Sequence, residues 1–317
     1  MRRLVVGVTA VAVGAALAAG GYVALRHGPE LLRSADACTV QVDGEATTLE
    51  LDQAQNAALI SALAVRRDLP ARAATIALAT AFQESKIRNL DYGDRDSLGI
   101  FQQRPSQDWG SATQVSDPYY STRAFYDALV DVDGYLELPV HDAAQEVQRS
   151  ADGSAYERHE GRAQIIATAL TGRAEAALSC EVPDPDDSGQ RLGDDGLTEN
   201  ARAVRTDVRR AFGEIPDGGF APDGVTSGHA EGSAHYDGRA VDFFFRPVRP
   251  AQTRDGWALA QYLVARAAAL DIRTVIFDEW IWTARRSGEG WRDYEISTSS
   301  GDQDILLHRD HVHVDVA

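Results

Sequence analysis

The sequence predicts two folded units in series: a mainly α domain, then an α+β domain with a small antiparallel sheet. Three observations predict it. Apolar residues recur at helical spacing through much of the stretch from 52 to 179. The segment Glu181–Asn200, EVPDPDDSGQRLGDDGLTEN, is dominated by Pro, Gly, Ser and Asp, the composition of a solvated linker. Beyond it, Ala240–Phe245, Ile272–Phe277 and His311–Val316 are short and rich in Val, Ile and Phe, as strands are. A chain of 317 residues, 44% of them hydrophobic, can give each unit its own core.

The elements follow in order. Residues 1–37 read as a leader and stalk. Met1-Arg2-Arg3 precedes an uncharged apolar run, Leu4–Leu25, whose 22 residues suffice to span a bilayer as a helix. Ala16-Leu17-Ala18 also offers a signal-type cleavage site. Retained, the run anchors the chain in the cell membrane with its body outside; cleaved, it leaves a secreted protein. The unit 38–180 opens with a hairpin, because Val40 and Val42 alternate ahead of the turn pair Asp43-Gly44 and Thr47–Leu51. Helix spacing begins at Asp52 and is broken at Leu69-Pro70. A second helix is expected from Ala71 to about Lys86, with others near 118–132, 141–150 and 155–179. Residues 181–197 form the linker. The unit 198–317 is expected to have helices at about 198–213 and 255–270 around the three strands.

A formal net charge of −17, with no basic patch visible along the sequence, argues against a nucleic-acid partner. The same acidity gives no attraction to anionic wall polymers. Cys38 and Cys180 bracket the first unit, and in an exported chain two cysteines pair as a disulfide.

The chemistry concentrates near the end. In Ser233-Ala-His-Tyr-Asp-Gly-Arg-Ala-Val-Asp242, His235 reads as a loop residue and Asp242 as a strand residue, with Gly238 allowing the turn between them. In Asp310-His311-Val312-His313 the two histidines are two apart on a strand and share a face. His235, Asp242 and His313 make a two-nitrogen, one-carboxylate set that suits zinc and leaves a fourth position for water. Such a site supports hydrolysis, with Asp310 or His311 as the base. His229 and His308 fit no pattern and read as surface residues.

The motif S-x-H-x-x-G-x-A-x-D with a terminal H-x-H resembles the zinc D-alanyl-D-alanine peptidases, which group with lysostaphin-type endopeptidases and the hedgehog signalling domain. The likeness covers roughly 196–317. It implies a hedgehog-like α+β fold, zinc on His235, Asp242 and His313, a catalytic acid at Asp310 and a substrate-side serine at Ser233. Asp310 departs from the glutamate common in that group. Arg239 is one candidate among many arginines for steadying the oxyanion. A second resemblance is to an actinobacterial exported domain of this type.

In the first unit Glu84-Ser85 ends a helix, and Ser97-Leu-Gly-Ile-Phe-Gln102-Gln103 follows a polar loop. Burial near Phe82, Ile100 or Phe101 would raise the pKa of Glu84 and let it protonate a glycosidic oxygen. The pattern resembles the lysozyme-like soluble lytic transglycosylases, which implies that Glu84 is the acid/base, helped by the substrate's own N-acetyl group. Ser97 and Gln102 are the matching cleft residues, Gln145, Gln148 and Tyr156 lie in helical segments where the family's later cleft residues would fall, and Trp109 and Tyr119-Tyr120 are stacking candidates. The run Asp91, Asp94, Asp96 reads as a solvated loop rather than a calcium site.

Together these readings describe an exported bifunctional peptidoglycan hydrolase. Its rivals are a non-catalytic wall-binding scaffold, and a single-activity zinc peptidase positioned by its first domain. A transport accessory is a weaker rival, since one apolar segment offers no pathway.

Overall fold

The computed structural model describes residues 36–149, 154–296 and 300–317. It combines helices with two antiparallel sheets. Strands β1 (Ala37–Val42) and β2 (Glu45–Glu50) form the expected hairpin. Asp43 and Gly44 at its tip both have positive φ, which matches the right-handed twist of the flanking strands. β3 (Leu178–Cys180) adds to the other side of β1. Its register places Cys180 opposite Cys38, and the two are joined by a disulfide.

Helix α1 (Leu51–Arg66) starts in a capping box between Glu50 and Gln53. α2 (Ala71–Ser85) is buried over most of its length, so its alanine-rich sequence reflects close packing on all sides. α3 (Ala112–Val115), α4 (Pro118–Val130), α5 (Val140–Gln148), α6 (Ser154–Glu157) and α7 (Glu160–Leu170) complete the first half. The single long helix expected over 155–179 is instead α6, α7, a turn at Gly172 and β3. Gly172 has φ +71, and a Cβ there would lie 1.8 Å from the Arg254 carbonyl oxygen. That close approach, with an element later in the chain, is invisible to local spacing.

The second half holds α8 (Glu199–Phe212), α9 (Pro250–Arg266) and the short α10 (Gln303–Leu306) around a sheet ordered β4-β5-β9-β6-β7-β8. These strands are Asp217–Gly218, Ala240–Phe244, His311–Val316, Ile272–Phe277, Trp280–Thr283 and Arg292–Asp293, in that spatial order.

The two halves share one continuous buried cluster. Gln261 of α9 is fully buried at their junction. Its Oε1 accepts from the backbone N–H of Ala177 and Leu178, and its Nε2 donates to the carbonyls of Ala169 and Ala174. Trp291 Nε1 donates to the Leu178 carbonyl. The stretch 181–197 is solvated over its middle, as its composition predicts, but is pinned to the body at its ends and at Ser188. Val182 and Leu197 are buried, the Ser287 hydroxyl bonds both the N–H and the carbonyl of Val182, and Ser188 Oγ donates to the Ala317 carbonyl. Proline and aspartate favour extended backbone here, but two apolar residues and backbone pairing dock it.

The membrane-anchored localisation is corrected. Among the described residues no helix is long and apolar enough to cross a membrane, and the apolar helix faces are used in the shared core. The run Leu4–Leu25 lies outside the described residues.

Candidate metal centre and carboxylate cleft

Asp242 on β5 and His313 on β9 are direct register partners, so their side chains leave the sheet on one face. His235 reaches that face from a 3-10 turn, Ala234–Asp237. Ser233 caps this turn, its Oγ accepting from the His235 N–H at 3.4 Å. Gly238 ends it at φ +65, where a Cβ would lie 2.5 Å from the Gly196 carbonyl oxygen.

Three donor atoms converge. His235 Nε2 lies 3.2 Å from Asp242 Oδ1, His313 Nδ1 lies 3.0 Å from the same oxygen, and the two nitrogens are 3.1 Å apart. Ligand atoms bonded tetrahedrally at about 2.0–2.1 Å stand about 3.3 Å apart, so the triangle has the size such an ion requires. The outer ring nitrogens are engaged: His235 Nδ1 faces the Gly219 carbonyl at 2.7 Å, and His313 Nε2 faces Asp315 Oδ2 at 3.4 Å. These partners orient the rings and turn the inner nitrogens toward Asp242.

The site is built for positive charge. Burial opposes charge on His313, yet Asp242 and Asp315 on either side hold its pKa up at about 9. Burial likewise opposes the charge on Asp242, but hydrogen bonds from His235 and His313 drive its pKa far below the usual carboxylate range.

His229 and His308 are not simple surface residues. The His229 ring stacks on that of His235 with centroids 3.9 Å apart, and Tyr236 donates its hydroxyl to the His229 carbonyl. His229, His235 and Asp242 each present a ligand atom within 4.8 Å of one another, and this group could hold a metal ion. His308 lies beside His311, with ring centroids 4.6 Å apart. Burial, then the neighbouring His311 and His313, push its pKa down to about 3, so it stays neutral. Five of the chain's eight histidines thus meet here. Neither His229 nor His308 has a spacing that announces it, because each arrives on a separate loop.

Asp310 does not point freely into the cleft. Its Oδ2 is 2.5 Å from Arg246 Nε, and its Oδ1 is 2.6 Å from His311 Nδ1. His311 in turn places Nε2 3.9 Å from Asp242 Oδ1. The order Arg246, Asp310, His311 makes His311 the group that faces the centre and Asp310 the group that orients it. The cleft above them, about 820 Å³, is lined by Ser233, Phe244, Ile276, Tyr294 and Leu306 among others. Arg239 donates to the Val316 carbonyl and pairs with Asp237.

In the first half, Glu84 ends α2 and accepts a 2.7 Å hydrogen bond from the Tyr156 hydroxyl. Burial raises its pKa, opposed by hydrogen bonds from Tyr156 and Gln148. Gln148 also donates to the Phe101 carbonyl and, with Asp108 and Trp109, lines a neighbouring cleft of about 1040 Å³ whose wall does not include Glu84. Ser85 Oγ donates to the Ile100 carbonyl, tying the helix end to the 97–103 turn. Ser97 is buried. Gln102 has φ +48, and its amide donates to the carbonyls of Tyr92 and Gly99, so it braces the turn. Tyr119 serves the junction instead of a sugar: its hydroxyl donates to Asp207, and Arg210 lies over its ring. Asp96 spends its carboxylate on Arg104 and Ser106.

A family model described as VldE, C-terminal domain, matches residues 193–305. The match includes His229, His235, Asp242 and Arg246 and ends before the His308–His313 segment. Comparison with curated proteins found no match.

Proposed function

We propose that this chain is a peptidoglycan hydrolase, with a zinc-dependent peptidase centre at His235, Asp242 and His313 and a glycan-cleaving acid at Glu84. On this reading the second half is a zinc-peptidase domain of hedgehog-like type and the first is lysozyme-like. One observation carries the peptidase part. The outer nitrogens of two histidines are engaged by a carbonyl and a carboxylate, so their inner nitrogens meet one carboxylate oxygen at coordination spacing. Borderline-soft nitrogen donors with one oxygen suit zinc better than magnesium or calcium.

Bound there, zinc supplies Lewis acidity and a water that ionises near neutral pH. The chain's own residues do the rest. His311, its Nδ1–H held by Asp310, presents Nε2 to the cleft as the proton acceptor and then the donor to the leaving amine. Arg246 pairs with Oδ2 of Asp310 and leaves Oδ1 directed at His311. In the first half, burial raises the pKa of Glu84, which favours its acid form, and Tyr156 fixes the direction of its carboxyl group.

The test is metal content together with fragment analysis. Purified protein is expected to hold one zinc per chain and His313→Ala to lose it. Mass analysis of digested peptidoglycan is expected to lose cut peptides with His313→Ala and cut glycan with Glu84→Gln. Wild-type protein without stoichiometric zinc, or fragments unchanged in both variants, would favour a wall-binding scaffold.

A further inference from the structure

We propose that an arginine pocket at the β7–β8 edge of the second sheet is a substrate subsite, which binds a carboxylate of an acidic peptide whose cleavable bond lies at the metal centre. The proposal rests on the peptidase reading for the position of that bond.

The pocket, about 570 Å³, is lined by Arg273, Arg285, Arg286 and Arg292 with Thr274, Thr283 and Asp184. In a chain of net charge −17, such a gathering of cations needs an explanation. Other half-buried arginines of this half are paired with carboxylates: Arg205 with Asp217, Arg266 with Asp207, Arg309 with Glu279. Arg273 and Arg292 have no such partner among the described residues. Arg273 donates to the Pro185 carbonyl, and Arg292 to the Thr283 hydroxyl and the carbonyls of Arg286 and Gly290. Of the four, Arg286 is ion-paired, to Glu289. Neutral acceptors hold Arg273 and Arg292 in place, and with Asp184 in the lining and Glu289 paired to Arg286 and acting on Arg292 from farther off, the four cations still outnumber the carboxylates around them. Planar forks beside two hydroxyls suit a carboxylate, which they can bind through two parallel hydrogen bonds.

Strand register connects this pocket to the metal centre. Asp242 is opposite His313, His313 opposite Ile276, Ile276 opposite Ile281, and Ile281 opposite Arg292. Residues directly opposite share a face, so the metal-side ligands and Arg292 stand in one row on one face. The next row runs Asp315, Thr274, Thr283. Arg273 is the extra residue where the β6–β9 register shifts, and such a bulge re-aims its side chain. Three strand spacings separate His313 from Arg292, about 14 Å. An extended peptide covers that span in about four residues. Ile276 and Ile281 form an apolar floor between the two ends. The acidic group therefore belongs about four residues from the bond that is cut.

The experiment uses the full chain and two synthetic hexapeptides, identical except for a glutamate or a glutamine at the first position. Calorimetry is expected to show the glutamate peptide binding roughly tenfold tighter or more, with the difference erased by Arg292→Gln and Arg273→Gln and partly restored in Arg292→Lys. Exposed Arg285→Gln supplies a variant with little risk of misfolding, and it should weaken the glutamate peptide alone. Steady-state cleavage should register the same loss in KM more than in kcat. Equal binding of the two peptides by wild type, or equal preference in all four variants, overturns the proposal. His313→Ala separates the two claims. If it keeps the glutamate preference while nothing is cleaved by wild type, the peptidase reading fails and the anion subsite stands.

Discussion

Asp242 and His313 face each other across a single antiparallel register, with carboxylate oxygen and imidazole Nδ1 3.0 Å apart. His235 is brought to the same oxygen from a separate turn. The pair is rigid because both strands lie inside the sheet, so what remains adjustable is the shell around them.

Asp315 is the clearest part of that shell. Asp315→Asn is expected to weaken zinc binding by about 10–100-fold, as loss of an orienting partner does elsewhere. Competition with a chromophoric chelator measures it. In the same assay His229→Ala should retain one zinc per chain while His313→Ala does not. The reverse ranking would make His229 the ligand.

His311 and Asp310 should separate in rate rather than in metal content. His311→Ala is expected to lower kcat by about 10²–10⁴-fold, the usual contribution of a general base, with zinc unchanged. Asp310→Asn should fall between it and wild type, because the imidazole remains but loses its charged orienting partner. A drop for Asp310→Asn deeper than for His311→Ala would give the proton-transfer role to Asp310.

Glu84 predicts a pH dependence. Its pKa is raised in the fold, chiefly by burial. The folded state then binds the proton more tightly than the unfolded state, where glutamate titrates near about 4.3. Glu84 is therefore most favourable to stability below that value, and its contribution is lost as pH rises through the higher folded pKa. Glu84→Gln should raise Tm at pH 7 more than at pH 4. Tyr156→Phe removes a bond that favours the carboxylate, so the alkaline limb of glycan cleavage should move to higher pH. An equal Tm shift at both pH values would contradict the assigned burial.

Gln261 should control whether the halves melt together. Gln261→Leu would leave the N–H groups of Ala177 and Leu178 buried without an acceptor, a loss on the order of 3 kcal/mol. Denaturant unfolding followed by two probes is expected to show a lower midpoint, and to split into two transitions if this junction is the main coupling. An unchanged midpoint would show that apolar contacts alone hold it.

Much of the local structure was legible. The Asp43-Gly44 hairpin and the break at Leu69-Pro70 follow from turn chemistry, and the strands expected at 240–245, 272–277 and 311–316 follow from their richness in Val, Ile and Phe; the first ends one residue sooner, at Phe244. Errors came where distant contact overrode composition. A Pro/Asp-rich stretch docked through Val182 and Leu197, and a helical pattern gave way to β3 because Cys38 and β1 were there to pair with it. Tyr119 read as a sugar platform, yet Asp207 and Arg210 from the other half claim it.

By itself, the sequence determined which residues could meet: His235 and Asp242 across a glycine turn, and His311 and His313 on one strand face by the two-residue period. Only the tertiary structure decided the company they keep. Strand order set Asp242 against His313 and carried the row on to Arg292. Loops brought His229 and His308 to the same cleft, and Arg246 and His311 divided the two oxygens of Asp310. Residue type and spacing encode direction along one element, whereas distance, burial and charge at a site are set between elements far apart in the chain.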